Sequence, residues 1–162
     1  VVVCAGVFFD KQDPRSITAE SMTEAFAVNT IPLVVFGALY AEACDTAGTT
    51  GRLISIGSLG AHEIWMDRLR YNTSKAAAHT AALSLARSLA PTIALNIVAP
   101  AAISVPDDPT ASDESLIPTT RIPMQRHGTT DDVTSAVMFF TSCSRYITGQ
   151  TIHVDGGYGL TR

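Results

Sequence analysis

Short apolar runs alternate with long helical patterns along this chain, and this alternation restricts the possible folds more than any other feature of the sequence. The apolar runs are rich in β-branched residues and are flanked by glycine or proline, which is typical of buried strands. They occupy residues 1–5, 52–57, 93–99 and 151–155. Helical patterns lie between consecutive runs, at about 18–43 and 71–89. This order predicts an α/β fold with a parallel sheet and right-handed crossovers.

The region between the third and fourth predicted strands contains a long loop and a third helix. Residues 99–121 hold four prolines, four acidic residues and no clear period. A loop of this length inside a compact domain is commonly functional, for example as a lid. A helix is expected to begin after Thr129, because the acidic pair Asp131 and Asp132 suits a capped first turn. We therefore expect a single domain over residues 1–162 with a substrate lid at about 99–121.

Composition and charge exclude several classes of function. The 162 residues carry a net charge of -4, and the eleven basic residues are scattered. Such a chain lacks the basic patch that nucleic acid or an anionic membrane would select, so neither is an expected partner. The longest apolar stretch, residues 31–41, is about half of the ~20 residues that a membrane span needs. No transmembrane helix is therefore expected.

Cysteine and histidine spacing gives no sign of a metal site. The three cysteines have no CxxC spacing and form an odd set, which makes a disulfide framework improbable and indicates a reducing, cytoplasmic compartment. The four histidines are dispersed, and His62-Glu63 lacks the second histidine of a zinc-binding HExxH helix. We interpret the histidines as structural or surface residues and expect no bound metal.

The carboxyl ends of parallel strands mark the expected position of a ligand site. These ends are Ala5-Gly6, Gly57-Ser58 and Pro100-Ala101. Tyr71 and Lys75 follow on a helix, four residues apart, and therefore share one face. An ammonium beside a phenol favours the phenolate, so Lys75 is expected to lower the pKa of Tyr71 toward the working pH of an acid/base catalyst. The spacing by itself is common on solvated helices.

Asn29 lies in the middle of an otherwise apolar helical stretch. An amide without a partner is costly to bury there, so Asn29 is expected to have one. Pro32 has no N–H group and crowds the carbonyl of Val28, which predicts a bend close to Asn29. Taken alone, the residue is better explained by an ordinary hydrogen bond from helix to loop than by a role in catalysis.

Several of these residues occur together in an order that is diagnostic of a family. The motifs are Asn29, Ser58, Tyr71-Asn72-Thr73-Ser74-Lys75, Asn96 followed by Pro100, Ile147-Thr148-Gly149-Gln150, and Val154-Asp155-Gly156-Gly157. Over Val1 to Gly157 the chain resembles the short-chain dehydrogenase/reductase family of the classical type. The resemblance implies a Rossmann-like, doubly wound parallel sheet of which this chain supplies the fourth to seventh strands, without the amino-terminal half that carries the Gly-rich loop.

The resemblance also implies a reaction and a role for each residue. The reaction is reversible hydride transfer between NAD or NADP and a small carbonyl or alcohol, with Tyr71 as the acid/base. Lys75 would assist Tyr71 and hold the nicotinamide ribose, Ser58 would polarise the substrate carbonyl, and Asn29 would anchor a proton-relay water. Further cofactor contacts are implied for Ala5, Gly6, Pro100, Ala101, Ile103 and Ser104. Relatives pair the helices corresponding to 18–43 and 71–89 between subunits, which implies a homodimer or homotetramer.

The chain departs from the family pattern at two points. Val3-Cys4 replaces the usual Asn-Asn before Ala5-Gly6, and Ala101 replaces the glycine that usually follows Pro100. Any need for a positive φ angle at Ala101 would strain the backbone there. The alternative interpretation is a non-catalytic interaction module on the same scaffold, which the sequence upstream of Val1 would distinguish. Trp65 and Met66 are candidates for an apolar wall of the substrate pocket or for plain loop packing.

Overall fold

A four-stranded parallel sheet forms the centre of the molecule. The computed structural model describes residues 1–105 and 117–160. The strands are β1 (Val2–Val3), β2 (Gly51–Ile56), β3 (Ile93–Pro100) and β4 (Thr151–Val154), and they lie side by side in this order. All three neighbouring pairs are parallel. The predicted Rossmann-like parallel sheet is thereby confirmed.

Strand β3 determines where the ends of the other strands lie. It pairs with β2 from Ile93 onward and with β4 through its last four residues, up to Pro100. Residues 93–99 are all buried, which explains the continuous apolar sequence of this strand. Since Ile56 of β2 lies opposite Val98 of β3, the loops that begin at Gly57 and at Ala101 leave the sheet at the same edge.

The first strand is shorter than the sequence predicts. A strand over residues 1–5 was expected to be buried, but β1 contains only Val2–Val3, and Val1 and Val2 are about half exposed. β1 has β2 as its one neighbour in the described sheet. After β1 the backbone forms hydrogen bonds with a side chain and not with a neighbouring strand. The N–H and C=O groups of Val7 both bond to the amide of Asn29.

Helices cover both faces of the sheet. They are α1 (Ala19–Asn29), α2 (Ile31–Thr46), α3 (Leu69–Ser88) and α4 (Thr130–Ser142). α2 and α3 pack on the face that contains Leu95 and Ile97, whereas α4 packs through Phe140 on the face that contains Val98. The side chains of a strand alternate between faces, so β3 contributes residues to the hydrophobic clusters on both faces of the sheet. The doubly wound arrangement expected from the sequence is confirmed.

The predicted helix at 18–43 is two helices. Thr30 caps the end of α1, where its N–H donates to the Phe26 carbonyl at 3.0 Å, and its hydroxyl donates to the Ser74 carbonyl at 2.8 Å. Pro32 lies in the first turn of α2, where its missing N–H group costs nothing. The proline that was expected to bend one helix therefore begins a second helix just after Asn29.

The segment Ala19–Thr46 has the length and composition of a membrane span, with a mean hydropathy of 1.5 over its most apolar window. The sequence analysis did not expect this. The core helix of a folded domain passes the same test. The break at Thr30 divides the segment into helices of 11 and 16 residues, each shorter than the ~20 residues of a span. Leu33 and Ala41 of α2 are buried in the core against the sheet and α3.

The end of the loop before α4 is held by specific contacts. Residues 106–116, the middle of the predicted lid, lie outside the described residues. Before them, Ile103 pairs with Gly128, and Ser104 N–H donates to the Gly128 carbonyl at 2.8 Å. The capped start of α4 is confirmed, because Thr129 and Asp132 exchange side-chain and backbone hydrogen bonds.

Candidate active site

The four candidate catalytic residues are buried around the first turns of α3. Asn29 ends α1, Ser58 follows β2, and Tyr71 and Lys75 lie on α3. Their exposed fractions are 4%, 4%, 9% and 6%, respectively. Polar side chains are seldom buried to this extent without a partner or a function. The structure arranges them as two neighbouring groups, each in contact with a glycine.

Ser58 and Tyr71 form the first group, which surrounds Gly60. A Cβ atom on Gly60 would lie 3.0 Å from Cε1 of Tyr71 and 3.3 Å from Oγ of Ser58, so only glycine fits without displacing them. The Gly60 N–H donates to Ser58 Oγ at 3.0 Å. Ser58 also forms a side-chain hydrogen bond with Tyr71. The serine hydroxyl is therefore held in place from one side by the backbone and lies beside the phenol.

The acidity of Tyr71 differs from the expectation. Burial raises the pKa of its phenol above the ordinary value, whereas the hydrogen bond with Ser58 and the positive charge of Arg68 act in the opposite direction. The predicted lowering by Lys75 is absent among these contributions. Burial also lowers the pKa of the Lys75 ammonium, an effect that Cys4 opposes. At both groups, loss of solvent outweighs the attraction between charges.

Lys75 and Asn29 form the second group, which surrounds Gly6. A Cβ atom on Gly6 would lie 2.9 Å from Nζ of Lys75 and 3.4 Å from Oδ1 of Asn29. Lys75 Nζ also donates to the Ile56 carbonyl, at 3.5 Å. Lys75 therefore extends toward the ends of β1 and β2, while Tyr71 extends toward Gly60.

The amide of Asn29 has partners, as the sequence predicts. Its Oδ1 accepts from Val7 N–H at 2.7 Å, and its Nδ2 donates to the Val7 carbonyl at 3.1 Å and to Ser74 Oγ at 2.9 Å. This is a hydrogen bond from helix to loop, the interpretation preferred for Asn29 alone. It fastens the segment after Gly6 to α1 and α3. The role of Asn29 in holding a relay water stays a prediction.

The remaining candidate cofactor residues follow two strand ends. Ala5 and Gly6 come after β1, and Pro100 is the last residue of β3. Ala101 N–H donates to the Val154 carbonyl at 3.1 Å. Among the described residues, positive φ angles outside glycine occur at Asp67 and Gln125 and not at Ala101. The alanine at this position therefore causes no backbone strain.

Two aromatic rings pack against Tyr71. The Trp65 ring stacks on it at 5.9 Å, and the Phe8 ring meets it edge-on at 4.6 Å. Met66, the other candidate for the pocket wall, is 82% exposed. Phe8 was missed, although it belongs to an apolar run, Val7-Phe8-Phe9, directly after the predicted rim residues.

Three of the supposedly dispersed histidines meet in the structure. The ring centroids of His62 and His79 are 4.4 Å apart, and those of His62 and His153 are 5.2 Å apart. Burial and the neighbouring rings lower the pKa of His62 and of His79. Within residues 1–105 and 117–160, no three His, Cys, Asp or Glu side chains are arranged to hold a metal ion. The sequence does not indicate this cluster, because its members are far apart along the chain and lie on a turn, a helix and a strand.

Comparisons with known proteins agree with this architecture. A family model described as enoyl-(acyl carrier protein) reductase matches residues 1–159. The 3-oxoacyl-[acyl-carrier-protein] reductase FabG of Buchnera aphidicola is 36% identical over 110 residues, which cover 66% of this chain and 45% of that protein. The oxidoreductase YohF of Escherichia coli is 36% identical over 122 residues, 70% of this chain and 46% of that protein.

Solved structures extend the similarity to nearly all of the chain. The acetoin dehydrogenase of Salmonella typhimurium superposes with a TM-score of 0.85 at 27% identity, over 99% of this chain and 64% of that one. The acetoin dehydrogenase of Enterobacter cloacae gives a TM-score of 0.86 with the same identity and coverage. The chain thus spans about half the length of its curated relatives. It belongs to the short-chain dehydrogenase/reductase family.

Proposed function

We propose that the protein containing this chain is an NAD- or NADP-dependent oxidoreductase that interconverts a carbonyl and an alcohol, with Tyr71 as the acid/base. The observation that carries this proposal is the buried pair of Ser58 and Tyr71. A fixed hydroxyl and a phenol side by side can both bind one carbonyl oxygen. Lys75, one helical turn away, adds a buried cation.

The residues of the second group fit a nicotinamide nucleotide. Lys75 is 6% exposed, and among the described residues the one hydrogen bond of its ammonium is the 3.5 Å contact with the Ile56 carbonyl. An ammonium has three donors, so donors remain for the hydroxyl groups of a ribose. Gly6, which has no side chain to cover Nζ, leaves room for this contact. Ala5, Pro100, Ala101, Ile103 and Ser104 complete the proposed cofactor contacts.

The protein residues bind the substrate and move one proton. The bound cofactor would supply the hydride. Ser58 and Tyr71 donate hydrogen bonds to the substrate carbonyl oxygen, and Tyr71 transfers its proton to that oxygen as the alcohol forms. The raised pKa of Tyr71 keeps the phenol protonated at neutral pH, which suits reduction. In the reverse direction the phenolate must form first, so alcohol oxidation is expected to require a higher pH.

Asn29 and Lys75, the second group of buried residues, support this proton transfer. Asn29 fixes Val7 and thereby holds Gly6 against the Lys75 ammonium. We place the relay water near these two side chains, where it would return a proton to Tyr71 through Lys75 and the ribose hydroxyls.

The substrate is proposed to be a small carbonyl compound. The matched relatives are named as 3-oxoacyl-[acyl-carrier-protein] reductase and acetoin dehydrogenase, and another is named as glucose 1-dehydrogenase. The test is a spectrophotometric screen of the full-length protein with NADH and NADPH against acetoacetyl-coenzyme A, diacetyl and a sugar lactone, with acetoin and glucose for the reverse reaction. Oxidation of either cofactor that depends on a carbonyl supports the proposal. No turnover with any compound or cofactor would favour the interaction-module alternative.

We also propose that the protein works in the cytoplasm as a homodimer or homotetramer. Ile31, Val35 and Leu39 recur every four residues on α2, and each is about half exposed. An apolar stripe of this kind on a helix is typical of a surface that a second copy covers. The variant Val35→Glu is expected to lower the mass measured by light scattering, and an unchanged mass would contradict this interface.

A further inference from the structure

Two arginines near the start of α3 hold the segment that follows Gly6. The Arg68 guanidinium lies 4.1 Å from the centroid of the Phe8 ring, and the Arg70 guanidinium lies 4.5 Å from that of Phe9. Both contacts are cation–π interactions, worth about 0.5–2 kcal/mol depending on burial. The two arginine–phenylalanine pairs have similar geometry, but they differ in their contacts with Tyr71.

Arg68 is the more deeply buried of the two and connects to the reacting phenol. It is 6% exposed and donates a hydrogen bond to the Phe9 carbonyl. The Phe8 ring beneath it packs edge-on against Tyr71 at 4.6 Å. The charge of Arg68 is also close enough to lower the pKa of Tyr71.

Among the described residues, Arg70 shows neither a hydrogen bond to the Phe9 carbonyl nor a link to Tyr71 through an aromatic ring. Its guanidinium forms an ion pair with the exposed Glu24, at 3.5 Å. The ring on which it stacks, Phe9, has no ring contact with Tyr71 among the described residues. The structure therefore contains a matched internal control for Arg68.

We propose that Arg68 is a positioning residue of the active site, which holds the Phe8 ring against Tyr71 through its contacts with that ring and with the Phe9 carbonyl, and keeps a buried positive charge beside the phenol. The turn before α3 favours this placement. Asp67 has a φ angle of 60°, a left-handed conformation that aspartate tolerates better than most residues, and its carbonyl accepts from Gln12 N–H at 2.9 Å. The 8–12 segment is thus bound to the turn at Asp67 and at Arg68.

Other charges share this region and stay constant in the test. Asp10 from the segment after Gly6, Asp67 from the turn, and Arg70 from α3 line the same crevice as Arg68 and Tyr71. Lys75 and Cys4 lie toward the ends of β1 and β2. Because these groups are unchanged in an Arg68 variant, any shift in the titration of Tyr71 comes from Arg68 or from the segment that it holds.

The test, which rests on the proposed role of Tyr71, compares Arg68→Gln, Arg68→Lys and Arg70→Gln in the full-length protein. The pH profile of kcat/KM is measured with acetoin and the preferred cofactor, or with the best alcohol from the screen. Arg68→Gln removes the charge and is expected to shift the limb of the kcat/KM profile that is assigned to Tyr71 by about one unit toward higher pH. At pH values below this limb, kcat/KM is then expected to fall about tenfold. Arg70→Gln is expected to leave the limb in place.

Arg68→Lys keeps the charge but loses the planar fork. Its limb is expected to stay within about 0.3 unit of the wild type while kcat/KM falls about threefold, since the 8–9 segment is held less firmly. The same shift can be followed without turnover, from the ultraviolet difference titration of tyrosinate between each protein and its Tyr71→Phe partner.

The outcomes separate the two proposals. A wild-type limb and a wild-type titration in Arg68→Gln would overturn the role of Arg68. If that variant does not fold, Arg68→Lys is compared with a fourth variant, Arg70→Lys, as its control. Equal kcat/KM values of these two variants would overturn the role of Arg68. Full activity of Tyr71→Phe would instead overturn the proposed function, whatever the arginine variants do.

Discussion

The two halves of α3 are equally buried but are built from opposite kinds of residue. Its first two turns bury polar groups, namely Tyr71, Asn72, Ser74 and Lys75. Its later turns bury only alanines on the same side, at 78, 82 and 86. Ala82 is 0% exposed and belongs to the core with Leu95 and Ile97. One helix thus joins a polar site to an apolar core.

The difference shows what each half does for the protein. The alanines have no long side chains, so the helix can approach the sheet and α2 closely. The polar half has no comparable explanation from stability, because each buried polar group must recover the cost of leaving water. Asn72 illustrates this cost, since its Oδ1 is buried without a hydrogen-bond partner in the described residues. The proposed function accounts for the polar first half, and packing accounts for the second.

The largest effect is expected from removing one oxygen in the polar half. Tyr71→Phe takes away the proton donor and is expected to lower kcat/KM by about 10²–10⁴-fold. The free energy of unfolding is expected to change by about 1 kcal/mol, since the hydrogen bond with Ser58 is lost and the ring is kept. Steady-state kinetics together with urea denaturation measure both quantities. Wild-type turnover would remove Tyr71 from its proposed role.

The opposite pattern is expected from the alanine half. Ala82→Leu inserts a large side chain where the exposed fraction is 0%, and it is expected to destabilise the fold by about 1–3 kcal/mol. Enzyme that remains folded is expected to keep its pH profile. Thr80→Leu, at an exposed position of the same helix, serves as the control and is expected to stay within about 0.5 kcal/mol of the wild type. Equal destabilisation in both variants would contradict the close packing of this half.

Lys75→Met sharpens the comparison, because activity and stability are expected to move in different directions. Methionine has a similar volume and removes a buried charge whose pKa is already lowered by burial. Stability is expected to stay level or rise by about 1 kcal/mol, as for other buried charges replaced by apolar residues. Cofactor affinity, measured by fluorescence titration with NADH and NADPH, is expected to fall. Destabilisation without loss of affinity would assign Lys75 to the structure alone.

The smallest effect concerns the junction between the halves, where His79 contacts His62. The pKa of each ring is lowered in the folded protein, so the unfolded chain binds more protons. This contribution to stability is complete above the ordinary value of 6.5 and is lost as the pH falls below it. Glu63 partly opposes the effect on His62.

Urea denaturation at about pH 8 and about pH 5.5 measures this dependence. The double variant His62→Gln, His79→Gln is expected to lose less stability between the two values than the wild type. His127→Gln, outside the cluster, is the control. An identical loss in the double variant and the wild type would show that the cluster does not titrate as the structure implies.

The sequence predicted the sheet better than it predicted the environments of the candidate residues. β3 and α4 were found because apolar runs and capping residues are local signals that the fold preserves. The pKa of Tyr71 was predicted in the wrong direction, since helical spacing gives the distance to Lys75 but not the degree of burial. Phe8, Arg68 and the histidine cluster depend on contacts between distant segments, which no local pattern contains.

The central claim is that Tyr71 protonates a carbonyl oxygen to which Ser58 also donates a hydrogen bond, with the hydride for the carbonyl carbon coming from the nicotinamide that the site would hold. The most direct test uses the full-length protein, the best carbonyl substrate of the screen and cofactor deuterated at its transferable position, with the product examined by mass spectrometry. The account predicts one deuterium on the carbinol carbon with the wild type, and almost no product with a folded Tyr71→Phe variant. Alcohol product without deuterium, or equal product from both proteins, would contradict it.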